Sequence, residues 1–206
     1  MKKFFDFTNE ELKVFKRLNT PQKIQAFLNN IPINFEKDGE TFHSPREVLK
    51  RNIAHCSEGA ILAATILWYH GKKPLLMDLR TIDKDVDHVV TLFKQNGYWG
   101  AISKTNHAVL RYREPIYKTL RELALSYFHE YFLNDGRKTL REYSEPFDLS
   151  KIKDRNWLTS KKSLVDIIIA LDDHKHHALI NKKQIRALRR ADPVEIEAGK
   201  LTEFRP

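Results

Sequence analysis

Apolar residues occupy nearly every position from Gly59 to Trp68, whereas the segments on both sides mix apolar and polar residues at regular intervals. A helix that is hydrophobic on all faces is a buried one. This stretch therefore predicts the helix at the centre of the core, which Gly71 ends. Upstream, Thr8, Thr20-Pro21 and Ser44-Pro45 are capping signals that predict two amphipathic helices and one short helix.

Downstream of the buried helix, the pattern becomes that of strands. The segment KPLLMDLRT predicts a strand, and Asn96-Gly97 separates HVVTLFK from YWGAIS. An Asn-Gly pair between alternating apolar runs is the strongest short-range signal for a β-hairpin. In a two-residue turn, Gln95 pairs with Tyr98. Continuing this register places His88 and Ser103 on one face of the sheet, close enough for their side chains to meet.

The rest of the chain, residues 114–206, predicts helices. Glu114-Pro115 opens the long amphipathic pattern IYKTLRELALSYFHEYF, and helical patterns also occur in KKSLVDIIIALDDHKHHAL and NKKQIRALRRAD. The order of the elements along the chain, with a small antiparallel sheet between two groups of helices, predicts an α+β fold in which the sheet packs on the buried helix. We expect residues 1–113 to hold the N-terminal helices and this core. Residues 114–206 are expected to form a helical extension packed on the core in one compact unit.

The length of 206 residues suits one domain. The formal net charge of +9 raises the question of a nucleic-acid partner. No block of five or six basic residues occurs, so the charge is expected on exposed helix faces, and nucleic-acid binding is the less favoured interpretation. The single cysteine excludes an intramolecular disulfide framework and fits a reducing compartment. Without a targeting signal or a run of ~18 apolar residues, the sequence predicts a cytoplasmic protein with no membrane span.

Cys56, the only cysteine, stands where the buried helix begins. The positive end of a helix dipole favours the thiolate form of such a residue. A histidine beside the thiol would pair with the thiolate and carry a proton, and a third polar group would orient the imidazole. His88 and Ser103 supply these groups if the face that carries them turns toward the start of the helix.

Three segments, HCSEGAILAATILWYHGKKP, DHVVTLF and NGYWGAISKTN, together resemble the transglutaminase-like (papain-like) cysteine domain superfamily over Leu49 to Asn106. In that family a cysteine opens a buried helix, a histidine begins a strand, and a strand led by tryptophan carries an aspartate. The resemblance implies Cys56 as the nucleophile and His88 as the general base. It places Ser103 where the family usually has aspartate. A serine hydroxyl accepts the imidazole Nδ1–H bond, but it carries no charge to stabilise an imidazolium.

These features predict thiol-dependent acyl transfer or amide hydrolysis on a protein or peptide amide, with neither an organic cofactor nor a metal ion required. One alternative is a transglutaminase-like binding module that has lost its chemistry, because Ser103 replaces the aspartate. A basic nucleic-acid-binding protein is the second alternative. The sequence indicates neither the individual substrate nor the oligomeric state.

Other polar residues near these positions have plainer interpretations. His55 is expected to be a partly exposed residue before the helix, with an influence on the neighbouring thiol as the less favoured interpretation. Glu58 is expected to complement the helix dipole from the first turn, and a role that faces the substrate is the less favoured interpretation. The acidic run DKDVDH lacks the glycine and the terminal glutamate of a calcium loop, so it is interpreted as a solvated loop. The cluster in LDDHKHHALI is interpreted as a solvated helix end. Asn106 is a second neutral group that would orient His88 if the strand bends after Ser103.

Overall fold

The computed structural model describes residues 3–37 and 39–205 and shows an α+β fold with one seven-stranded antiparallel sheet. The helices are α1 (Asn9–Arg17), α2 (Pro21–Asn30), α3 (Pro45–Arg51), α4 (Cys56–Tyr69), α5 (Leu120–Leu125), α6 (Val165–Asp172), α7 (Lys182–Arg186) and α8 (Pro193–Gly199). The strands are β1 (Leu75–Arg80), β2 (His88–Gln95), β3 (Tyr98–Ile102), β4 (Arg113–Tyr117), β5 (Glu142–Ser144), β6 (Phe147–Asp148) and β7 (His176–Ala178). Short 3₁₀ turns cover Phe128–Glu130, Leu149–Lys151 and Asn156–Leu158. The strands lie in the order β4-β3-β2-β1-β5-β7, and β6 also pairs with β1.

The helix predicted to be buried, α4, is the centre of the core. All of its residues from Ser57 to Leu67 are buried, and it packs on one face of the sheet against Val89 and Phe93 of β2. On the same face, the Thr91 hydroxyl donates a hydrogen bond of 2.6 Å to the carbonyl of Ala60. This bond satisfies two buried polar groups where the helix meets the sheet.

The N-terminal helices complete the cluster around α4. They begin after the predicted capping residues Thr8, Thr20 and Ser44, and each of these side chains accepts a hydrogen bond from a backbone N–H in the first turn. Leu12 of α1 and Ile24 of α2 are buried in the α4 cluster. The three predicted N-terminal helices and their capping residues are confirmed.

The opposite face of the sheet is covered by the segment that runs from α5 to Tyr131. Met77 of β1 and Val90 of β2 form a second apolar cluster there with Tyr127 and Tyr131. Because the sheet is buried on both faces, the first six residues of β2 are all buried instead of alternating between buried and exposed.

The hairpin between β2 and β3 has the predicted register. Gln95 pairs with Tyr98, and the ladder continues to Thr91 and Ile102. The turn residues have φ values of 51° at Asn96 and 86° at Gly97. Positive φ at both central residues is what a type I′ hairpin turn requires.

The prediction of a helical extension over residues 114–206 is wrong in part, because this range contains the helices α5 to α8 but also strands of the sheet. Strand β4 pairs with β3, and β5, β6 and β7 extend the sheet on the side of β1. The long helix predicted from residue 116 to 132 is helical only in α5 and in the 3₁₀ turn that follows it. The edges of a sheet carry unpaired backbone groups, and pairing with them outweighs the local helix preference of these segments.

Gly59 allows the end of β3 to approach α4 closely. A Cβ atom placed at Gly59 would lie 2.5 Å from the Cβ of Lys104. Lys104 is 1% exposed, and its Nζ donates hydrogen bonds to the carbonyls of Leu28, at 3.0 Å, and Ile31, at the end of α2. Burial lowers the pKa of Lys104 to about 8. The first turn of α4, the end of β3 and the end of α2 therefore meet at one side chain.

Replacing Gly59 with alanine should destabilise the protein. Alanine normally stabilises a helix interior by about 0.5–1 kcal/mol relative to glycine. At this position the added methyl group overlaps Lys104, and overpacking costs about 1–3 kcal/mol. We expect Gly59→Ala to lower the free energy of unfolding by this amount in a denaturant titration.

Gly199→Ala is the matched control, because Gly199 is also helical and its added Cβ would meet only the Phe132 ring, at 3.3 Å. We expect this control to change the free energy of unfolding by less than about 0.5 kcal/mol. Equal stability of the two variants would show that Lys104 moves away without cost, contrary to the tight contact described above.

Candidate active site

Cys56, His88 and Ser103 meet at one end of the sheet. Cys56 is the first residue of α4, His88 is the first residue of β2, and Ser103 directly follows β3. The Nε2 atom of His88 lies 2.8 Å from the Oγ atom of Ser103, and the imidazole of His88 is close enough to the Cys56 thiol to lower the pKa of the thiol. His88 and Ser103 are buried, whereas Cys56 is partly exposed and lines a cleft.

The hydrogen-bond chain beyond Ser103 sets the orientation of the imidazole. The Ser103 hydroxyl donates to the carbonyl oxygen of Leu110. Because a hydroxyl has one proton to donate, its oxygen accepts the hydrogen bond from Nε2–H of His88. This leaves Nδ1 for the thiol. The expectation that Ser103 accepts from Nδ1 is therefore wrong, since β2 presents the other ring nitrogen to it.

Leu110 holds the carbonyl that ends this chain in an unusual backbone conformation. Its φ of 59° lies in the left-handed region, which costs a residue other than glycine about 1–3 kcal/mol. The N–H of Leu110 donates to Glu130 at 2.6 Å, and Glu130 also pairs with Arg113 at 2.6 Å. The loop before β4 is thus fixed so that a backbone carbonyl faces Ser103.

His55 is a second imidazole beside the thiol. Its Nε2 lies 2.6 Å from the carbonyl oxygen of Thr41, and its Nδ1 lies 3.3 Å from the Ser57 hydroxyl. Burial lowers the pKa of His55, but the hydrogen bond and charge of Cys56 and the charge of Glu58 outweigh burial and raise it to about 9. His55 is therefore a cation at neutral pH. Sequence reasoning placed it correctly before the helix and gave an influence on the thiol as the less favoured interpretation, on the signal of its position next to the only cysteine.

The surroundings of the Cys56 thiol favour its thiolate form. Burial alone would raise the pKa of Cys56, but hydrogen bonds from His55 and His88, together with the charges of both rings, hold it well below its ordinary value. The first turn of α4 acts in the same direction, since the N-terminal end of a helix favours negative charge. A thiolate, unlike a thiol, is a nucleophile.

Glu58 anchors this end of α4 with a fully buried carboxylate. Its side chain is 0% exposed and accepts hydrogen bonds from the Asn34 amide, the Thr41 hydroxyl, and the backbone N–H groups of His43 and His55. The Nδ1 atom of His43 also lies 2.6 Å from Oε1. The prediction that Glu58 complements the helix dipole understated its role, because the carboxylate also ties the 34–43 segment to the helix.

The cleft next to Cys56 is acidic, although the chain as a whole is basic. Nine carboxylates line it: Glu36, Glu40, Asp78, Asp83, Asp85, Asp87, Glu142, Asp172 and Asp173. Among the described residues of this lining, Arg80 is the only lysine or arginine. A second cleft adjoins the first at Cys56 and includes His88, Lys104 and Tyr131. The thiol therefore lies where an acidic surface meets a more apolar one.

Three of the carboxylates, Asp78, Asp87 and Asp172, place oxygens within 4.8 Å of one another. Each already interacts with a protein donor, since Asp78 lies 3.1 Å from His176, Asp87 accepts from Thr81, and Asp172 pairs with Arg80. These contacts account for the cluster without a metal ion.

Two interpretations of the polar segments are wrong in part. His176 is not on a solvated helix end, because it is nearly buried in β7 and its pKa is raised: burial lowers it, but the hydrogen bond to Asp78 raises it more. Asn106 does not reach His88, since its side chain bonds to the backbone of Phe204 at 2.8 and 3.0 Å. His176 lies in a strand because β7 pairs with β5, and Asn106 is held by its hydrogen bonds to Phe204. The local sequence pattern indicates neither of these distant partners.

Neither a protein-family model nor a curated protein matches this chain. Within the described residues, none of the helices combines the length and apolar character needed to cross a bilayer.

Replacing Glu58 with glutamine should destabilise the protein strongly. The amide keeps the shape of the side chain but removes the charge. Its two N–H donors would also face the Thr41 hydroxyl and the backbone N–H groups of His43 and His55, which are themselves donors to Glu58. Breaking a buried charge network of this kind costs about 3 kcal/mol. We expect Glu58→Gln to lower the free energy of unfolding by that amount in a urea titration at pH 7.

The control is Glu195→Gln, because Glu195 occupies the same third position of α8 and accepts one backbone N–H from its capping residue, Asp192. A glutamine serves that bond as well, so we expect a change below about 0.5 kcal/mol. A loss of equal size in both variants would contradict a special role for Glu58.

Proposed function

We propose that this protein is a thiol-dependent acyl-transfer or amide-hydrolysing enzyme with a transglutaminase-like core. The observation that carries the proposal is the placement of a thiol at the start of a buried helix beside His88, which Ser103 orients and which lowers the pKa of the thiol. The order of these three residues along the chain and the packing of α4 on an antiparallel sheet support the family resemblance. The N-terminal N–H groups of α4 lack partners within the helix and are suitable donors to an oxyanion.

The reaction follows from the positions of these groups. The Cys56 sulfur attacks the carbonyl carbon, and a C–S bond forms while the carbonyl π electrons move to the oxygen. When the C=O bond re-forms, the C–N or C–O bond breaks, and the leaving group departs with the proton that His88 took from the thiol. Water or an amine, deprotonated by His88, then attacks the thioester. The C–S bond breaks, and its electrons return to the sulfur.

The acidic lining of the cleft favours a substrate or an acceptor with positive charge. A cleft of one charge sign concentrates ligands of the opposite sign. Carboxylates outnumber cationic side chains around Cys56, so a lysine amine or a basic peptide suits this cleft better than an acidic peptide does. The same charge disfavours nucleic acid in the cleft, and the nucleic-acid alternative rests on the net charge alone.

A binding module without catalysis is the second candidate, and Ser103 is the observation that favours it. The serine orients His88 but offers no negative charge to an imidazolium that forms during the reaction. In a serine protease, loss of the corresponding carboxylate charge lowers turnover by about 10⁴. A thiolate that is ionised before substrate binds depends less on that charge, and this difference favours the enzymatic proposal.

The first test is alkylation of Cys56 with iodoacetamide as a function of pH. The rate for an ordinary thiol rises nearly tenfold per pH unit below its pKa of ~8.5, because only the thiolate reacts. The depressed pKa of Cys56 should make the rate rise much less between pH 6 and pH 8 than it does for an ordinary thiol. Mass spectrometry measures the labelling. Cys56→Ser must abolish it, since the chain has no other cysteine.

In the same assay, His88→Ala should move the inflection of the pH profile up toward the ordinary cysteine value, because one of the two stabilising imidazoles is lost. His107→Ala is the control: His107 is exposed and lines the second cleft without a place in the hydrogen-bond chain. A thiol that labels only after denaturation, or a profile identical for wild type and His88→Ala, would reject the enzymatic proposal.

Replacing Ser103 with alanine tests the orienting role of the hydroxyl. The substitution leaves Nε2–H of His88 without an acceptor, so proton transfer should slow by about 10²-fold. The rate of the burst of p-nitrophenolate from p-nitrophenyl acetate measures acylation. Ser44→Ala is the control, because it removes a buried capping hydroxyl at a cost of about 1 kcal/mol but leaves the site intact. Equal burst rates for Ser103→Ala and wild type would contradict this role.

A further inference from the structure

The hydroxyl of Tyr131 is a buried donor without an acceptor. Tyr131 follows the 3₁₀ turn Phe128–Glu130, its ring packs in the cluster on the second face of the sheet, and the residue is only 4% exposed. Within the described part of the chain, its hydroxyl makes no hydrogen bond. A buried polar group without a partner costs about 1–3 kcal/mol, so such a group in a folded protein calls for an explanation.

The position of Tyr131 supplies that explanation. It lines the same cleft as Cys56 and His88, and its pKa is raised well above the ordinary value by burial and by the negative charges of Cys56 and Asp85. The phenol therefore keeps its proton in the reactive pH range. It lies within the electrostatic reach of the thiolate but does not hydrogen-bond to it.

Two other buried polar groups lack partners in the described residues, the Tyr112 hydroxyl and the Trp157 N–H. Neither lines the clefts that meet at Cys56. Tyr112 stacks on Phe93, with ring centroids 5.8 Å apart, and Trp157 belongs to the α4 cluster. Tyr131 alone of the three combines an unused donor with a place at the thiol.

We propose that the Tyr131 hydroxyl donates a hydrogen bond to the carbonyl oxygen of the acyl group that Cys56 attacks. The inference rests on the proposed function and adds a residue to it. As the C–S bond forms, the carbonyl π electrons move to the oxygen, and the phenol O–H stabilises that negative charge without giving up its proton. When the C=O bond re-forms, the hydroxyl keeps the oxygen in place until the acyl group leaves.

The test compares acylation with alkylation in Tyr131→Phe. Acylation by p-nitrophenyl acetate passes through an oxyanion, whereas alkylation by iodoacetamide does not. Loss of one oxyanion donor typically slows the reaction by about 10²–10³-fold. We expect the p-nitrophenolate burst to slow at least tenfold, while the rate of iodoacetamide labelling and its pH profile stay within twofold of wild type. The melting temperature should not fall, because the hydroxyl bonds to no protein group.

Tyr127→Phe is the matched control. Tyr127 lies four residues earlier in the same apolar cluster and is fully buried, but its hydroxyl donates to the Arg111 carbonyl at 3.1 Å. Its loss should lower the melting temperature by a few degrees and leave the burst rate unchanged.

The outcomes separate the two proposals. A burst in Tyr131→Phe as fast as in wild type overturns the role of Tyr131 and leaves the proposed function standing. Equal slowing of the burst and of alkylation also overturns it, because the hydroxyl would then act on the thiolate. A wild-type protein without a burst and without labelling at pH 6 rejects the proposed function, and the role of Tyr131 fails with it.

Discussion

The buried carboxylate of Glu58 is the interaction on which this end of the molecule depends. A charge with no solvent access persists only when protein donors surround it, and the donors here come from the 34–43 segment and from the backbone of His55. The negative charge of Glu58 helps to keep His55 protonated, and protonated His55 helps to keep the Cys56 thiol ionised. The charge of Glu58 thus stabilises the charge of His55, which in turn stabilises the thiolate of Cys56. Removing the charge of Glu58 would weaken both effects.

The other side of the thiol has no such charge. His88 bonds to Ser103, Ser103 bonds to the Leu110 carbonyl, and this chain ends on a neutral backbone group. The two imidazoles are therefore unequal partners of Cys56. His55 lies next to the Glu58 carboxylate and is held as a cation, whereas His88 hydrogen-bonds to the neutral hydroxyl of Ser103. In the proposed reaction, this difference assigns electrostatic support to His55 and proton transfer to His88.

The sequence predicted those parts of the fold that local signals determine. Capping residues located the N-terminal helices, uniform apolar character located α4, and Asn96-Gly97 determined the register that brings His88 to Ser103. The failures lie where distant pairing decides the structure. Strands β5 and β7 are three residues long, and each is a strand only because the sheet offers it an edge. His55 and Glu58 were underestimated for the same reason, since their partners Thr41 and His43 lie in a segment without a regular pattern.

The half of the chain predicted to be an appendage completes the site. Glu130 fixes the Leu110 carbonyl that accepts from Ser103, Tyr131 lines a cleft together with the thiol, and α6 contributes Asp172 to the acidic cleft. If only α4 and the β2–β3 hairpin surrounded the thiol, it would face solvent on the side that these residues now cover. Their packing lowers the local dielectric, and lower dielectric strengthens every charge interaction at Cys56. Burial by this part of the chain raises the pKa of the Cys56 thiol, so the hydrogen bonds and charges of His55 and His88 must outweigh that cost to favour the thiolate.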